Sequence, residues 1–218
     1  MIQFKYNKIY KLRGDTMESN YKVAYNTEWS KLKKLEPLDI ANRLSVYYNQ
    51  ENKQLTVPFF NDEYILDFTY ETIHKKVDNS IPSIDDSIII LNYLTFSSNN
   101  IKEENKWVTL KEIPNGGVLF FPSFQNMAIK RIIKTFGNNI NNFEENALKL
   151  GGEKINFGEI AYKFKVLPKI NICVVMWEGD EEFSPNASIL FDPSIQHLLH
   201  IETVIGAGIC VANKLITI

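Results

Sequence analysis

The sequence predicts a single α+β domain built on an antiparallel or mixed sheet of about five strands flanked by helices. The elements run in the order helices, hairpin, helix, strand, helices, strands, helix. No regular strand–helix alternation supports a doubly wound parallel sheet. With 218 residues the chain is long enough for one substantial core and short for two ordinary domains.

The first sixteen residues stand apart from that domain. They carry Lys5, Lys8, Lys11 and Arg13, and Ile2, Phe4 and Tyr6 alternate as in a short strand. Residues 1–16 read as an N-terminal extension with translation starting at Met17, as an edge strand or ordered arm, or as a basic arm that recruits an acidic partner. The domain proper is 17–218.

From Glu18 to Leu35 apolar residues recur at three- and four-residue spacing, which predicts a helix. Pro37 interrupts it, and a short helix follows from Leu38 to Leu44. Gln54–Phe60 and Glu63–Phe68 read as strands around an Asn61-Asp62 turn. Ser83 is placed to cap a helix whose first turn holds Asp85 and Asp86 and whose buried body is Ile88 to Phe96. Lys106–Ile113 reads as a strand, and Pro114-Asn115-Gly116-Gly117 as a turn. A helix is expected from Ser123 to Phe136 with Gly137 closing it, and another from Asn142 to Leu150 ahead of Gly151-Gly152. Tyr162–Val166 and Ile170–Trp177 read as strands, the second too continuously apolar to be anything but central. Asp192-Pro193 opens a final helix reaching Lys214.

Composition narrows the function. A net charge of −2 gives little electrostatic drive toward nucleic acid. No apolar run approaches the roughly 20 residues of a membrane span. The two cysteines, Cys173 and Cys210, lie inside apolar runs and read as free, buried thiols of a cytoplasmic protein. Without Cys-x-x-Cys there is no iron–sulfur or zinc framework.

The candidate site is the stretch after the Ile170–Trp177 strand, where Glu178, Asp180, Glu181 and Glu182 crowd four acids into five residues between Trp177 and Phe183. Such crowding raises carboxylate pKa values unless solvent, a cation or a donor cluster relieves it. Trp177, Glu178, Asp180, Glu181, Glu182 and Asp192 are therefore the candidate binding residues, and the competing reading is a solvated hairpin loop. His197 and His200 stand three apart on the expected last helix, a spacing that can pair imidazoles on one metal. His197, Glu182 and Asp192 form the candidate set for a divalent cation, and an enzyme would use Asp180 with them. Gly206-Ala207-Gly208 lacks the strand and spacing of a dinucleotide loop and reads as small residues for helix packing. Phe120-Phe121-Pro122-Ser123-Phe124 reads as core rather than pocket.

Several stretches resemble an uncharacterised family of single-domain proteins from anaerobic bacteria and archaea, catalogued as a domain of unknown function. They are Asp85–Leu94, Lys106–Pro114, Leu167-Pro168, Trp177–Phe183 and Ile189–Asp192, and the resemblance spans about Trp29 to Leu215. It implies an association with iron–sulfur or corrinoid-dependent one-carbon proteins. The reading is an accessory or binding protein with a protein or metallocofactor partner, no nucleic acid and no membrane; the alternative is a metal-dependent enzyme at the same turn.

Overall fold

The computed structural model describes residues 17–218. The division at 16/17 and the readings of the N-terminal arm lie outside the described residues. No helix among these residues is long and apolar enough to cross a membrane.

Two antiparallel sheets carry the fold. The first has the order β1-β2-β3-β4, from Tyr47–Asn49, Gln54–Phe59, Asp62–Asp67 and Thr72–Lys75. Its centre is the expected hairpin, with Phe59 opposite Asp62, so the turn is Phe60-Asn61, one residue earlier than expected. The second has the order β5-β9-β8-β7-β6, from Val108–Thr109 (β5), Glu153–Ile155 (β6), Ile160–Leu167 (β7), Ile170–Trp177 (β8) and Asn186–Phe191 (β9). The α+β class and the antiparallel pairing are as the sequence predicts, with the five expected strands shared between two sheets: β2 and β3 in the first, β5, β7 and β8 in the second. The Phe60 amide donates to the Val166 carbonyl at 3.0 Å and ties the two sheets together.

Strand β8 is central, and Ile172 to Met176 are buried on both faces. Ile172, Val174 and Met176 enter the main core. Cys173 and Val175 face the other way, into a smaller cluster with Ala161, Leu190, Trp107 and Trp177. Both cysteines are free and buried.

Helices α1 (Met17–Leu32) and α3 (Ile84–Phe96) pack on each other, α2 (Pro37–Leu44) packs against β1, and Trp29 and Leu32 enter the core. Ser83 caps α3 as expected, accepting from the Asp86 amide at 3.1 Å. After β5 the chain does not continue as a strand to Ile113. It turns through a 3₁₀ segment, Leu110–Glu112, because Glu112 reaches back to accept the Thr109 amide at 2.8 Å, a capping box.

The helix expected from Ser123 starts earlier. It runs as α4 (Gly117–Phe124), a π turn (Gln125–Ile129) and α5 (Lys130–Phe136), one rod of residues 117–136. Pro122 lies inside it, where a missing N–H loosens the ladder just ahead of the wider π turn. Next, α6 (Ile140–Lys149) ends near Gly151 at φ 79°, the left-handed closure that glycine favours. Gly137 instead stays right-handed at φ −59°, so it is no left-handed cap.

The last helix is also divided. Pro193–His197 is a 3₁₀ segment, Leu198 and Leu199 turn inward and are buried, and α7 (Ile201–Thr217) begins anew after His200. Along α7, Val204, Ala207, Val211, Ala212 and Leu215 are fully buried and tie it to the centre of the molecule.

Candidate functional site at the acidic hairpin

Trp177 pairs with Asn186, so the loop joining β8 to β9 is residues 178–185. The continuous apolar run of β8 stops where it leaves the core, and the acids begin there. Glu178, Asp180, Glu181 and Glu182 are all exposed.

Asp180 is the loop's organiser. Its Oδ1 accepts the amides of Glu182 at 2.8 Å and Phe183 at 2.7 Å, while its own amide donates to the Phe183 carbonyl at 2.9 Å. The short aspartate side chain thereby closes a local turn. Gly179 answers to packing rather than to a ligand, since a Cβ there would lie 2.6 Å from Pro185 Cδ. The same proline presses on Gly137, where a Cβ would lie 2.7 Å from Pro185 Cγ. The loop is therefore seated on the C-terminal end of α5, the negative end of a helix dipole.

The structure keeps the two aromatic residues apart. Trp177 is half-buried in the outer sheet cluster and lies over Gly158. Phe183 is 69 % exposed at the tip of the loop. Glu159 is a neighbour that the sequence order does not reveal: its Oε2 accepts the Glu178 amide at 3.2 Å, across the β7–β8 pairing.

The remaining expected residues are not brought to this loop. Asp192 sits at the opposite end of β9, six strand residues and about 20 Å from the turn. It is buried, and its carboxylate is filled by backbone amides: Oδ1 accepts Ser194 at 2.9 Å and Glu104 at 3.1 Å, and Oδ2 accepts Lys106 at 3.4 Å. Burial pushes its pKa up, but these hydrogen bonds prevail and hold the carboxyl below its ordinary value. His197 is exposed at the end of the 3₁₀ segment. His200 is not on the same helical face, because the break at Leu198-Leu199 puts it in extended backbone at the N-cap of α7, edge-on to Phe96. The candidate set His197, Glu182 and Asp192 is thus dispersed, and no group of three His, Cys, Asp or Glu side chains converges among the described residues.

A cleft of about 500 Å³ beside α2 is lined by Glu36, Asp39, Arg43, Asn99 and Asn100 among others, and none of the expected site residues reaches it. Arg43 is engaged structurally there, donating to the Leu94 carbonyl at the end of α3 at 2.9 Å.

A family model described as a domain of unknown function, DUF3786, matches residues 36–214. The chain belongs to this family. No curated protein and no solved structure matches it. The DUF3786 match takes in both sheets, the acidic hairpin and most of α7. Helix α1 precedes the matched span, yet its Trp29 and Leu32 are part of the continuous core.

Proposed function

We propose that this DUF3786 protein is an accessory or binding protein whose recognition surface is the acidic hairpin. One observation carries the reading: Phe183 is held 69 % exposed on a turn that Asp180 has already ordered. Large aromatic side chains are frequent anchors of interfaces, and an ordered loop loses less entropy on binding. Around Phe183, the exposed Glu178, Glu181 and Glu182 enter no ion pair among the described residues. The surface therefore fits a cationic partner that offers an apolar pocket.

The family resemblance extends this proposal to a cytoplasmic protein or metallocofactor partner in the iron–sulfur or one-carbon metabolism of an anaerobe. A divalent metal enters only as cargo or as part of such a partner. The enzyme alternative draws no support, because Asp180 and Glu182 share the hairpin loop while Asp192 and His197 lie beyond the opposite end of β9.

The test compares wild-type protein with Phe183→Ala and with Glu181→Gln/Glu182→Gln, purified natively under anaerobic conditions. Asp180 is left intact so that the turn survives. Both variants are expected to melt like the wild type and to lose its co-purifying partner or metal. Unchanged partners and metal content in both variants would reject the proposal.

A further inference from the structure

We propose that the cleft beside α2 binds a small zwitterion of the α-amino-acid class, with the ligand carboxylate on Arg43 and its ammonium group on Asp39 and Glu36. The site is separate from the acidic hairpin and does not depend on the recognition reading.

Arg43 has a charge that the fold does not neutralise. Its Nη2 donates to the Leu94 carbonyl at 2.9 Å, near the C-terminal end of α3. Its Nε is buried and hydrogen-bonded to nothing, and Nη1 has no partner among the described residues. No carboxylate pairs with it among those residues either. A guanidinium offers five N–H donors in a planar fork that a carboxylate matches. Partly withdrawn from water, it gains more from such a partner than an exposed arginine does. Arg43 is part of the cleft wall, so the cleft is where an anionic group can meet it.

The acids stand on the same wall. Asp39 lies one turn before Arg43 on α2, a spacing at which aspartate and arginine ordinarily close an ion pair. They close none here, and the guanidinium is turned to Leu94 instead. Glu36 is the N-cap residue of α2, yet its side chain makes no capping hydrogen bond and no ion pair. One helix thus presents unneutralised negative charge and, about 6 Å further along its axis, unneutralised positive charge. A zwitterion lying between them neutralises both, which a simple anion or a simple amine does not.

The rest of the lining suits such a ligand. Asn42, Asn99 and Asn100 bring carboxamides, which donate and accept without adding net charge. Leu35 and Ile40 add apolar wall. The volume of about 500 Å³ falls within the range of small-molecule sites.

The experiment is an amide NMR titration of the full chain with a pool of the proteinogenic amino acids at about 1 mM each, enough to half-fill a site of millimolar affinity. The strongest binder is then compared with its N-acetyl and its carboxamide derivative, which lack the ammonium and the carboxylate charge. The pool is expected to shift the amides of Asn42, Arg43, Asn99 and Asn100. Each derivative is expected to bind at least about tenfold more weakly than the parent amino acid, as are the variants Arg43→Lys and Glu36→Gln/Asp39→Asn toward the parent. Melting curves check the fold of both; if Arg43→Lys is unfolded, the acid variant decides alone, since its side chains hold no ion pair. A pool that leaves those amides unmoved overturns the proposal, as does a folded variant that keeps full affinity. An N-acetyl derivative as tight as the parent would show a plain anion site, and an equally tight carboxamide a plain amine site; either outcome rejects the zwitterion.

Discussion

Lys214 on α7 reaches Asp86 in the first turn of α3 at 3.0 Å, and the other oxygen of the same carboxylate accepts the Cys210 thiol at 3.1 Å. The lysine also lies over the rings of Phe59 and Phe60, 5.4 and 5.3 Å from their centroids. One charged pair thus joins the last helix, the third helix and the hairpin of the first sheet. Asp86 gains further from its place at the positive end of the α3 dipole.

The pair is expected to be energetically coupled. Breaking a partly buried pair from one side leaves the other charge without its partner. Asp86→Asn and Lys214→Met should each cost on the order of 1–3 kcal/mol. The double variant should cost less than their sum by at least about 0.5 kcal/mol. A urea-denaturation double-mutant cycle measures this, and strict additivity would show the contact to be incidental.

Alkaline pH should weaken the fold well before lysine titrates. Burial pushes the Cys173 thiol from 9.0 up to about 12. Burial, reinforced by Asp86 and Asp62, pushes the Tyr64 hydroxyl from 10.0 up to about 12. Cys210 is raised by burial and by Asp86. The native state keeps these protons where the unfolded chain has released them. Their stabilisation is complete below about pH 9 and is lost progressively as pH climbs toward the folded values. Urea midpoints from pH 7 to 11 should fall above 9, and Cys173→Ala with Tyr64→Phe should flatten that fall. A flat wild-type profile over this range would contradict it.

Gly206 and Gly208 should respond in opposite directions to the same substitution. A Cβ on Gly208 would lie 2.7 Å from Phe124 and 3.0 Å from Phe191, whereas one on Gly206 would meet nothing within 4 Å. Gly208→Ala overpacks the core and should cost about 1–3 kcal/mol. Gly206→Ala improves helix propensity and should gain about 0.5–1 kcal/mol. Thermal melts of the two variants decide it, and equal shifts would refute the packing difference.

These glycines also show where sequence reading stops. Their spacing announces close helix packing, but only the neighbouring chain reveals which of them is pressed. Ser83 with Asp85 and Asp86, and the unbroken apolar run of β8, were legible because a cap and a buried strand are local patterns. The strands β1, β4 and β6 are three or four residues long, too short for alternation to register. The helical pairing of His197 with His200 failed because two intervening leucines are worth more buried than continued as helix. At the acidic turn the place was legible from the charge pattern. The division of labour was not, since Asp180 holds the loop while Phe183 is left outside, and Glu159 arrives from the bend ahead of β7.

Asp192 supplies the last prediction. It resembles a site residue by its position after a buried strand, yet its oxygens are taken by the amides of Ser194, Glu104 and Lys106. Two of those donors lie more than eighty residues earlier in the chain, so the carboxylate pins the segment ahead of β5 to the end of β9. Its pKa is held low in the fold by these bonds, so the stabilisation is present above the ordinary carboxyl value near 3.8 and is lost as pH falls through the folded value. Asp192→Asn should cost about 1–3 kcal/mol at neutral pH. It should also reduce the steepness of acid unfolding below about pH 4. Amide exchange at Glu104 and Lys106 should quicken in the variant while exchange in the Glu178–Pro185 loop stays as it was. A variant with unchanged acid unfolding and unchanged exchange at those two amides would show that Asp192 does not hold the segment, and would reopen its reading as a ligand-binding carboxylate.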